Sequence, residues 1–405
     1  MEWKEVRLGE ISSKIGDGLH GTPKYDDEGP YYFINGNNLN CGKIIIKDDT
    51  KRVGKDEFVK NQKELNEQTI LVSINGTIGN VAKYNNELCI LGKSACYINV
   101  IKEVDKEFIY YVLTSANFKR NITNEATGTT IKNVSLKQMR EYKFNIPCNI
   151  SDQHRIASIL SSLDRKIELN NKINADFEEM AQAIFKNWFV DFEPFKDGKF
   201  VDSELGMIPE GWKVGRLDEI ADVVGGSTPS KAKPEYYTQK GIAWLTPKDL
   251  SNHPAVYTSR GEIDITEEGY NSTSTKLMPK GTILFTSRAP IGYISIAQND
   301  ICTNQGFKSL VPKKAGTCFL YCFLKYVTPE IENKSTGSTF KEASGALMKS
   351  LQVIMPDQKV FEEFEEIVSP LFARIESLEK ENSRLSLLRD TLLPRLMSGE
   401  LEVPE

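Results

Sequence analysis

Residues 3–11 read Trp-Lys-Glu-Val-Arg-Leu-Gly-Glu-Ile, and residues 212–220 repeat the stretch as Trp-Lys-Val-Gly-Arg-Leu-Asp-Glu-Ile. Six of the nine positions are identical. Further matching motifs follow each copy at an offset of 209 to 213 residues, and the two series end at Pro147 and Pro356. Each copy is long enough to hold its own hydrophobic core, so this is not the short unit of a solenoid. The sequence therefore predicts one module present twice.

Each module combines short strand-like runs with a few helical stretches. Residues 43–46 and 282–285 are rich in β-branched or large apolar residues and are bounded by glycine and asparagine turn signals. Helical patterns cover residues 106–118 and 318–325. This mixture predicts the α+β class, with two similar mixed α/β modules. The periodicity is too weak to predict the strand order.

The segment after Pro147 has a different pattern. It begins at Ser151 and Asp152, which suit a helix N-terminus, and continues without interruption to Trp188. Its seam residues follow alternating steps of four and three and include Ile156, Leu160, Leu163, Ile167, Asn170, Asn174 and Phe177. Heptad spacing with central asparagines is typical of a coiled coil whose register is fixed by buried polar residues. At about 1.5 Å per residue, the helix would be roughly 55 Å long.

A second copy of this helix follows Pro356. The same spacing gives a seam of Leu371, Ile375, Leu378, Asn382 and Leu385. Pro370 falls inside the pattern and should kink the helix or mark its start. A single apolar stripe does not stabilise an isolated helix, so each helix needs the other or a helix from another chain. A plain helical bundle would also explain the seams, but the central asparagines favour a coiled coil.

The helices divide the chain into four segments: the first module at 1–150, a helix with a connector at 151–205, the second module at 206–355, and a second helix at 356–405. The net charge of −5 is unevenly distributed among them. The modules carry +2 and +3, whereas the helical segments carry −4 and −6. A weakly positive face on each module fits a phosphate backbone, although an ordinary solvated surface has the same balance.

Signatures of catalysis and of nucleotide binding are lacking in the sequence. Gly92-Lys93-Ser94 resembles the end of a P-loop, but Glu87 stands where that motif needs a glycine. The Asn/Asp-Pro-Pro-aromatic tetrapeptide of DNA amino-methyltransferases does not occur, and the three histidines are too far apart to indicate a metal site. The seven scattered cysteines are typical of reduced thiols. We therefore predict a cytoplasmic protein that is not an enzyme, binds no metal ion and does not enter a membrane.

Polar, glycine-containing loops recur at matched places in both modules. Hydroxyl groups and lysines in such loops suit phosphate oxygens, while asparagine and arginine suit base edges. The candidate DNA-binding residues of the first module are His20, Thr22, Lys24, Asn35, Asn37, Asn75, Thr77, Thr129, Thr130 and Lys132. Those of the second module are Thr228, Lys231, Lys248, Ser287, Arg288, Ser338, Thr339 and Lys341.

One aligned pair of loop residues differs in its chemistry. Asn75 aligns with Arg288, and an amide favours adenine whereas a guanidinium favours guanine. Ordinary turns would explain any single loop of this kind. The matched set favours recognition of DNA.

Several segments resemble the specificity subunits of type I restriction–modification systems. Residues 152–167 are similar to the spacer helix of that family, and residues 184–194 and 208–212 are similar to the segments that follow it. Residues 392–401 resemble the family's C-terminal helix. The order of module, helix, module and helix also matches, so the resemblance covers the whole chain.

The resemblance implies a non-catalytic subunit that binds double-stranded DNA through two target recognition domains. These domains would be separated by two long helices packed as an antiparallel coiled coil, in a tandem repeat with pseudo-twofold symmetry. Two modification subunits carrying S-adenosylmethionine would bind this chain. Restriction subunits, which act as translocase and nuclease with ATP and Mg, would complete the complex. Because the two modules have diverged, we expect an asymmetric bipartite target with one half-site per domain.

Other functions fit the same sequence. The chain could be the specificity subunit of a related system in which methylase and nuclease are fused, and only the neighbouring subunit would distinguish the two. It could instead be a coiled-coil scaffold whose modules bind protein, in which case its DNA affinity at low salt would be negligible. An enzyme in its own right would require methyl transfer by this chain alone.

Overall fold

A computed structural model describes residues 1–125, 133–288, 290–337 and 341–403. The chain forms two compact units, one of Met1–Ile167 with Arg384–Glu405 and the other of Glu168–Ser383. Each unit therefore contains one module and part of each of two 40-residue helices. Every helix among the described residues is too short or too polar to cross a lipid bilayer.

The first module and the helix that follows it have the elements β1 Trp3–Arg7, β2 Ser12–Asp17, β3 Tyr31–Ile34, β4 Leu39–Asn40, β5 Lys43–Ile44, β6 Arg52–Val53, α1 Lys55–Asn61, β7 Thr69–Ser73, β8 Val81–Lys83, β9 Cys89–Leu91, β10 Ala95–Val100, α2 Lys106–Thr114, α3 Ala116–Glu125, α4 Leu136–Glu141, β11 Lys143–Pro147 and α5 Ile150–Phe189. Helix α5 begins one residue before the predicted Ser151 and ends one residue after Trp188.

A connector with the two short strands β12 Phe200–Val201 and β13 Ile208–Pro209 leads into the second module. The elements of that module and its helix are β14 Lys213–Arg216, α6 Leu217–Ile220, β15 Ala221–Gly225, β16 Tyr237–Thr238, β17 Trp244–Leu245, α7 Pro247–Asn252, β18 Tyr257–Thr258, β19 Asp264–Ile265, α8 Glu267–Asn271, β20 Ile283–Ser287, β21 Ile291–Ala297, β22 Cys302–Thr303, β23 Lys308–Pro312, α9 Thr317–Lys334, α10 Gly345–Ser350, β24 Gln352–Met355 and α11 Gln358–Met397. The division of the chain at residues 150, 205 and 355 stays a prediction.

The central sheets of the two modules share one strand order. The first module has the antiparallel order β2-β10-β7-β8, and the second has β15-β23-β20-β21, extended by β18 parallel to β21. In each module the first and last strands pair antiparallel, with Trp3 opposite Pro147 and Lys213 opposite Met355. The sequence repeat is therefore a repeat of the fold, and the predicted class of two mixed α/β modules with long helices is confirmed.

A close backbone approach after the first sheet strand recurs in both modules. A Cβ atom at Gly18 would lie 2.0 Å from the Leu91 carbonyl oxygen, and one at Gly226 would lie 2.1 Å from the Asn304 carbonyl oxygen. No larger residue fits at either place without a backbone shift. These glycines approach β9 and β22, and each of the two strands begins with a cysteine: Cys89 in the first module and Cys302 in the second. Burial raises the pKa of both thiols to about 12.

Each module packs its core against the long helices. In the first unit, Ile156 and Leu160 of α5 and Leu396 of α11 are buried in the same cluster as Phe108. In the second unit, aromatic residues of α5 and α11 join Phe319 of α9 in one cluster; they are Phe185, Phe189, Phe361, Phe364 and Phe372. Burying a side chain of this size contributes about 1.5–3 kcal/mol. The helices are thus part of the module cores.

The two long helices run antiparallel. Within the second unit, Phe189 near the end of α5 contacts Phe361 near the start of α11, while Asn170 contacts Asn382 farther along. All twelve predicted seam residues are buried or half-buried. The expectation that Pro370 marks the start of the second helix is wrong, because α11 begins at Gln358. Pro370 cannot donate to the Glu366 carbonyl oxygen, and both residues are exposed, so this loss falls on the solvent side of the helix.

Candidate nucleic-acid interface

The second module contains an open cleft of about 910 Å³ beside β17. Trp244 and Tyr237 form an aromatic wall, with their ring centroids 5.9 Å apart in an edge-to-face arrangement. Three of the residues predicted to bind DNA line the same cleft: Lys231, Lys248 and Arg288. The fold therefore brings together cations that are separated by up to 57 positions in the sequence.

The wall of the cleft is held rigidly. The Trp244 indole N–H donates to the Ser227 carbonyl oxygen at 3.1 Å, and Trp244 is only 4% exposed. The Tyr237 hydroxyl donates to the Pro229 carbonyl oxygen at 2.7 Å. Burial raises the pKa of Tyr237, so this hydroxyl stays protonated and keeps donating.

A capping box places Lys248 at the rim. One carboxylate oxygen of Asp249 accepts from the Thr246 backbone N–H at 2.7 Å and from the Thr246 hydroxyl at 2.6 Å. The other oxygen accepts from the Glu262 backbone N–H at 2.8 Å, so Asp249 is committed to the loop. The Lys248 ammonium lies 3.5 Å from the Glu262 carboxylate, and both side chains are more than 70% exposed. An exposed pair of this kind is worth little, so Lys248 can exchange Glu262 for a phosphate.

Arg288 lies directly after β20, where the chain forms an isolated antiparallel bridge with Glu342. One guanidinium nitrogen of Arg288 lies 3.5 Å from a Glu342 carboxylate oxygen. The Lys308 ammonium lies 3.6 Å from the other oxygen of that carboxylate. The Glu342 carboxylate thus lies between two cations. The three side chains together carry a net positive charge at the edge of the cleft.

The turn of the first module that matches the Thr246–Asp249 turn is also built around a helix cap. The Asn35 backbone N–H donates to the Asn38 side chain at 3.0 Å, and the Asn35 side-chain oxygen accepts from the Ser94 hydroxyl at 2.9 Å. Asn35 is therefore engaged by the fold, whereas Asn37 beside it is exposed. Asn75 donates through its side chain to the Asn133 side-chain oxygen at 3.2 Å.

The remaining candidates differ in how accessible they are. Thr22, Lys24, Thr77 and Lys341 are exposed, and exposed His20 lies 2.7 Å from a carboxylate oxygen of Asp17. Thr228 donates its hydroxyl hydrogen to the Gln305 side chain. As DNA-binding groups, these residues stay predictions. Five other candidates lie outside the described residues: Thr129, Thr130, Lys132, Ser338 and Thr339.

The prediction for Ser287 needs correction. Ser287 is fully buried, and its hydroxyl donates to the Gly306 carbonyl oxygen at 3.2 Å. That hydroxyl is not available to a ligand, because the last residue of β20 points into the module. The sequence motif did not indicate that Ser287 points inward while Arg288, the next residue, points outward.

Sequence reasoning also missed parts of the site. Trp244 and Tyr237 were not identified, and neither was Glu342. A signal for Glu342 was present, since it follows Lys341 directly in the repeated loop motif. Among the described residues, no three His, Cys, Asp or Glu side chains are grouped so that they could hold a metal ion.

Two segments, residues 1–179 and 209–387, match the family described as the type I restriction modification DNA specificity domain. The chain belongs to this family. The two matched segments of the specificity domain each contain one module and the larger part of the helix that follows it.

Individual specificity subunits show the same similarity. The type I restriction enzyme MjaIX specificity subunit of Methanocaldococcus jannaschii is 40% identical over 190 residues, which cover 46% of this chain and 44% of that subunit. The HindI specificity subunit of Haemophilus influenzae is 26% identical over 359 residues, covering 73% of this chain and 77% of the relative. The crystal structure of the type I restriction–modification S subunit from M. genitalium superposes with a TM-score of 0.55 at 22% identity, over 98% of this chain and 96% of that one. It supports the same fold.

Proposed function

We propose that this chain is the DNA-reading subunit of a type I restriction–modification complex and that each module binds one half of a bipartite duplex target. The carrying observation is the cleft of the second module, where Lys231, Lys248 and Arg288 surround an aromatic wall. Lysines and arginine in such a cleft suit phosphate oxygens and base edges. The repeated fold supplies a second module of the same kind for a second half-site.

The chemistry of modification and cleavage would belong to partner subunits. Two modification subunits would bind S-adenosylmethionine and methylate the target, and restriction subunits would use ATP and Mg. The chain itself would select the sequence and hold these subunits together. The names of its relatives, specificity subunits of type I restriction enzymes, support the role of this chain in selecting the sequence. A system with fused methylase and nuclease is the alternative.

DNA affinity and its salt dependence test the proposal. The complex of this chain with its modification subunit is titrated with duplex DNA at several salt concentrations, alongside a variant carrying Lys231→Gln and Lys248→Gln. For every phosphate that the variant no longer binds, the slope of log affinity against log salt should fall by about 0.9. Lys276→Gln with Lys280→Gln is the matched control, because both lysines are exposed and neither lines the cleft.

Two outcomes would count against this function. Negligible DNA affinity at low salt, with the modification subunit bound, would favour a protein-binding scaffold. An equal decrease of salt dependence in the control variant would show that general surface charge, and not the cleft, holds the DNA.

A further inference from the structure

We infer that Arg288 is a guanine-reading residue positioned by Glu342, and that Asn75 is its adenine-reading counterpart in the first module, positioned by Asn133. The inference rests on the proposed function. Beyond that function, it identifies which base each module selects at one position of its half-site.

The two readers occupy the same place in the repeated fold. In the second module, the Ser287 N–H donates to the Gly306 carbonyl oxygen at 2.8 Å, and the Ala343 N–H donates to the Ser287 carbonyl oxygen at 2.9 Å. Arg288 is the next residue, and it bridges to Glu342.

The first module repeats these hydrogen bonds one for one. The Ile74 N–H donates to the Ser94 carbonyl oxygen at 2.9 Å, and the Val134 N–H donates to the Ile74 carbonyl oxygen at 2.9 Å. Asn75 is the next residue, and it bridges to Asn133. The backbone thus presents residue 75 and residue 288 in the same way, and only the side chains differ.

Glu342 forms an ion pair with the guanidinium of Arg288, and this attraction favours one position of the guanidinium. One Glu342 carboxylate oxygen lies 3.5 Å from a guanidinium nitrogen of Arg288, and the other lies 3.6 Å from the ammonium of the half-buried Lys308. A guanidinium has five N–H donors and no acceptor, so several donors remain for a ligand. In the major groove only guanine offers two adjacent acceptors, O6 and N7, to a donor pair of this kind.

Asn133 leaves Asn75 with a different set of groups. One N–H of the Asn75 amide is directed to the Asn133 oxygen at 3.2 Å. The second N–H and the carbonyl oxygen of that amide remain, so one donor and one acceptor are left for a ligand. Adenine presents the complementary pair, the N7 acceptor and the N6 amino donor.

Position in the module separates Arg288 from other paired arginines. Arg216 lies 2.9 Å from a carboxylate oxygen of Asp218, a shorter ion pair than that of Arg288. Arg288 lines the cleft, and Arg216 does not. Arg216→Asn is therefore a control that removes a paired arginine from the same module without touching the proposed reader.

The first test uses base analogues in the target of the wild-type complex, once that target has been mapped. Each guanine of the second half-site is replaced in turn by 7-deazaguanine, which lacks the N7 acceptor, and the affinity of the complex with its modification subunit is measured. We expect one position at which the analogue weakens wild-type binding several-fold. Arg288→Ala should bind the normal and the substituted duplex equally, while Arg216→Asn should keep the wild-type discrimination.

The second test exchanges the two pairs. Arg288→Asn with Glu342→Asn should change the preferred base at that position from guanine to adenine, in either strand, and leave the first half-site unchanged. Asn75→Arg with Asn133→Glu should make the opposite change in the first half-site. Because the two exchanges concern different modules, a folding defect in one variant still leaves the other as a test.

Specific results would overturn the inference. A second half-site without guanine would do so, as would an Arg288→Ala complex that keeps the full sensitivity to 7-deazaguanine. A wild-type complex that binds DNA without any sequence preference would instead contradict the proposed function itself. The two failures are therefore distinguishable.

Discussion

The Asn170 side-chain amide on α5 donates to the side-chain oxygen of Asn382 on α11 at 2.9 Å, and Asn170 is fully buried. Asn382 in turn donates to the side-chain oxygen of Asn171 at 2.7 Å. These bonds join one specific pair of positions on the two helices, so they favour this alignment over others. Buried asparagines in a helix seam commonly reduce stability and fix the alignment.

Replacing the buried amides should change the stability of the protein and the alignment of its helices in opposite directions. We expect Asn170→Leu combined with Asn382→Leu to raise the free energy of unfolding by about 1–2 kcal/mol, because a seam of leucines needs no hydrogen bonds. The same variant should populate alternative alignments more readily, since the Asn170–Asn382 contact no longer disfavours them, although the Arg389–Asp164 pair between the same helices remains at 2.7 Å. Thermal unfolding and light scattering measure the two effects. A less stable but uniform protein would contradict this interpretation.

The seam shows how far the sequence predicts the fold. The heptad pattern over 40 residues is a strong local signal, and it placed both ends of α5 within one residue. The strands of the modules gave no such signal, because β17 and β22 have two residues each and pair in parallel across a long connection. Their pairing depends on contacts between residues distant in sequence, which a local pattern does not contain.

The candidate site was predictable to a similar degree. Repeated loops identified Lys231, Lys248 and Arg288, which the fold then brings to one cleft. Ser287 could not be separated from Arg288, since its burial arises from its contact with Gly306 in a distant part of the chain. The aromatic wall was missed because Trp244 and Tyr237 are indistinguishable in sequence from core residues.

A tertiary cap on α9 gives a second prediction. Glu365 of α11 accepts from the Phe319 N–H at 2.8 Å and from the Cys318 N–H at 3.3 Å, at the first turn of α9. A Cβ atom at Gly316 would lie 2.1 Å from the Glu365 carboxyl carbon. Gly316→Ala and Glu365→Ala should each lower the free energy of unfolding by about 1–2 kcal/mol, because each displaces or removes the cap.

The combination of the two substitutions is diagnostic. In the Glu365→Ala background, Gly316→Ala should have almost no further effect, since its clash partner and the cap are already gone. Chemical denaturation of the four proteins gives this comparison. Two additive effects would show that Gly316 is required for another reason.

Glu379 should make the stability of the second module depend on pH. Burial raises the pKa of Glu379 to about 7, and the hydrogen bonds from the Val256 and Tyr257 N–H groups oppose that rise only in part. The ordinary value is 4.5, so the folded protein binds this proton more tightly than the unfolded chain does. The contribution is complete below about pH 4.5 and is lost as the pH rises through 7.

A comparison with Glu379→Gln isolates that contribution. Between pH 5 and 7, the free energy of unfolding of the wild-type protein should fall by about 1 kcal/mol per pH unit relative to the variant, whose amide does not titrate. Unfolding midpoints at three pH values provide the measurement. Parallel pH profiles for the two proteins would show that Glu379 does not carry the effect.

The length of the helix pair should set the spacing of the two half-sites. Removing one heptad from α5 and the facing heptad from α11 shortens each helix by about 10 Å. Since base pairs rise by about 3.4 Å, the unread spacer of the DNA target should become roughly three base pairs shorter. The target of the shortened protein is compared with the original one. An unchanged spacer would show that the length of the helices does not set the distance between the half-sites.

The most direct measurement is a map of adenine methylation across a genome. This chain is produced together with its modification subunit in a host without DNA methylation, and methylated bases are identified at single-base resolution. We predict one motif made of two different half-sites separated by unread base pairs, and its complete disappearance when this chain is omitted. A soluble, assembled complex that leaves no new methylation, or one whose methylation persists without this chain, would contradict the claim that the chain selects the target.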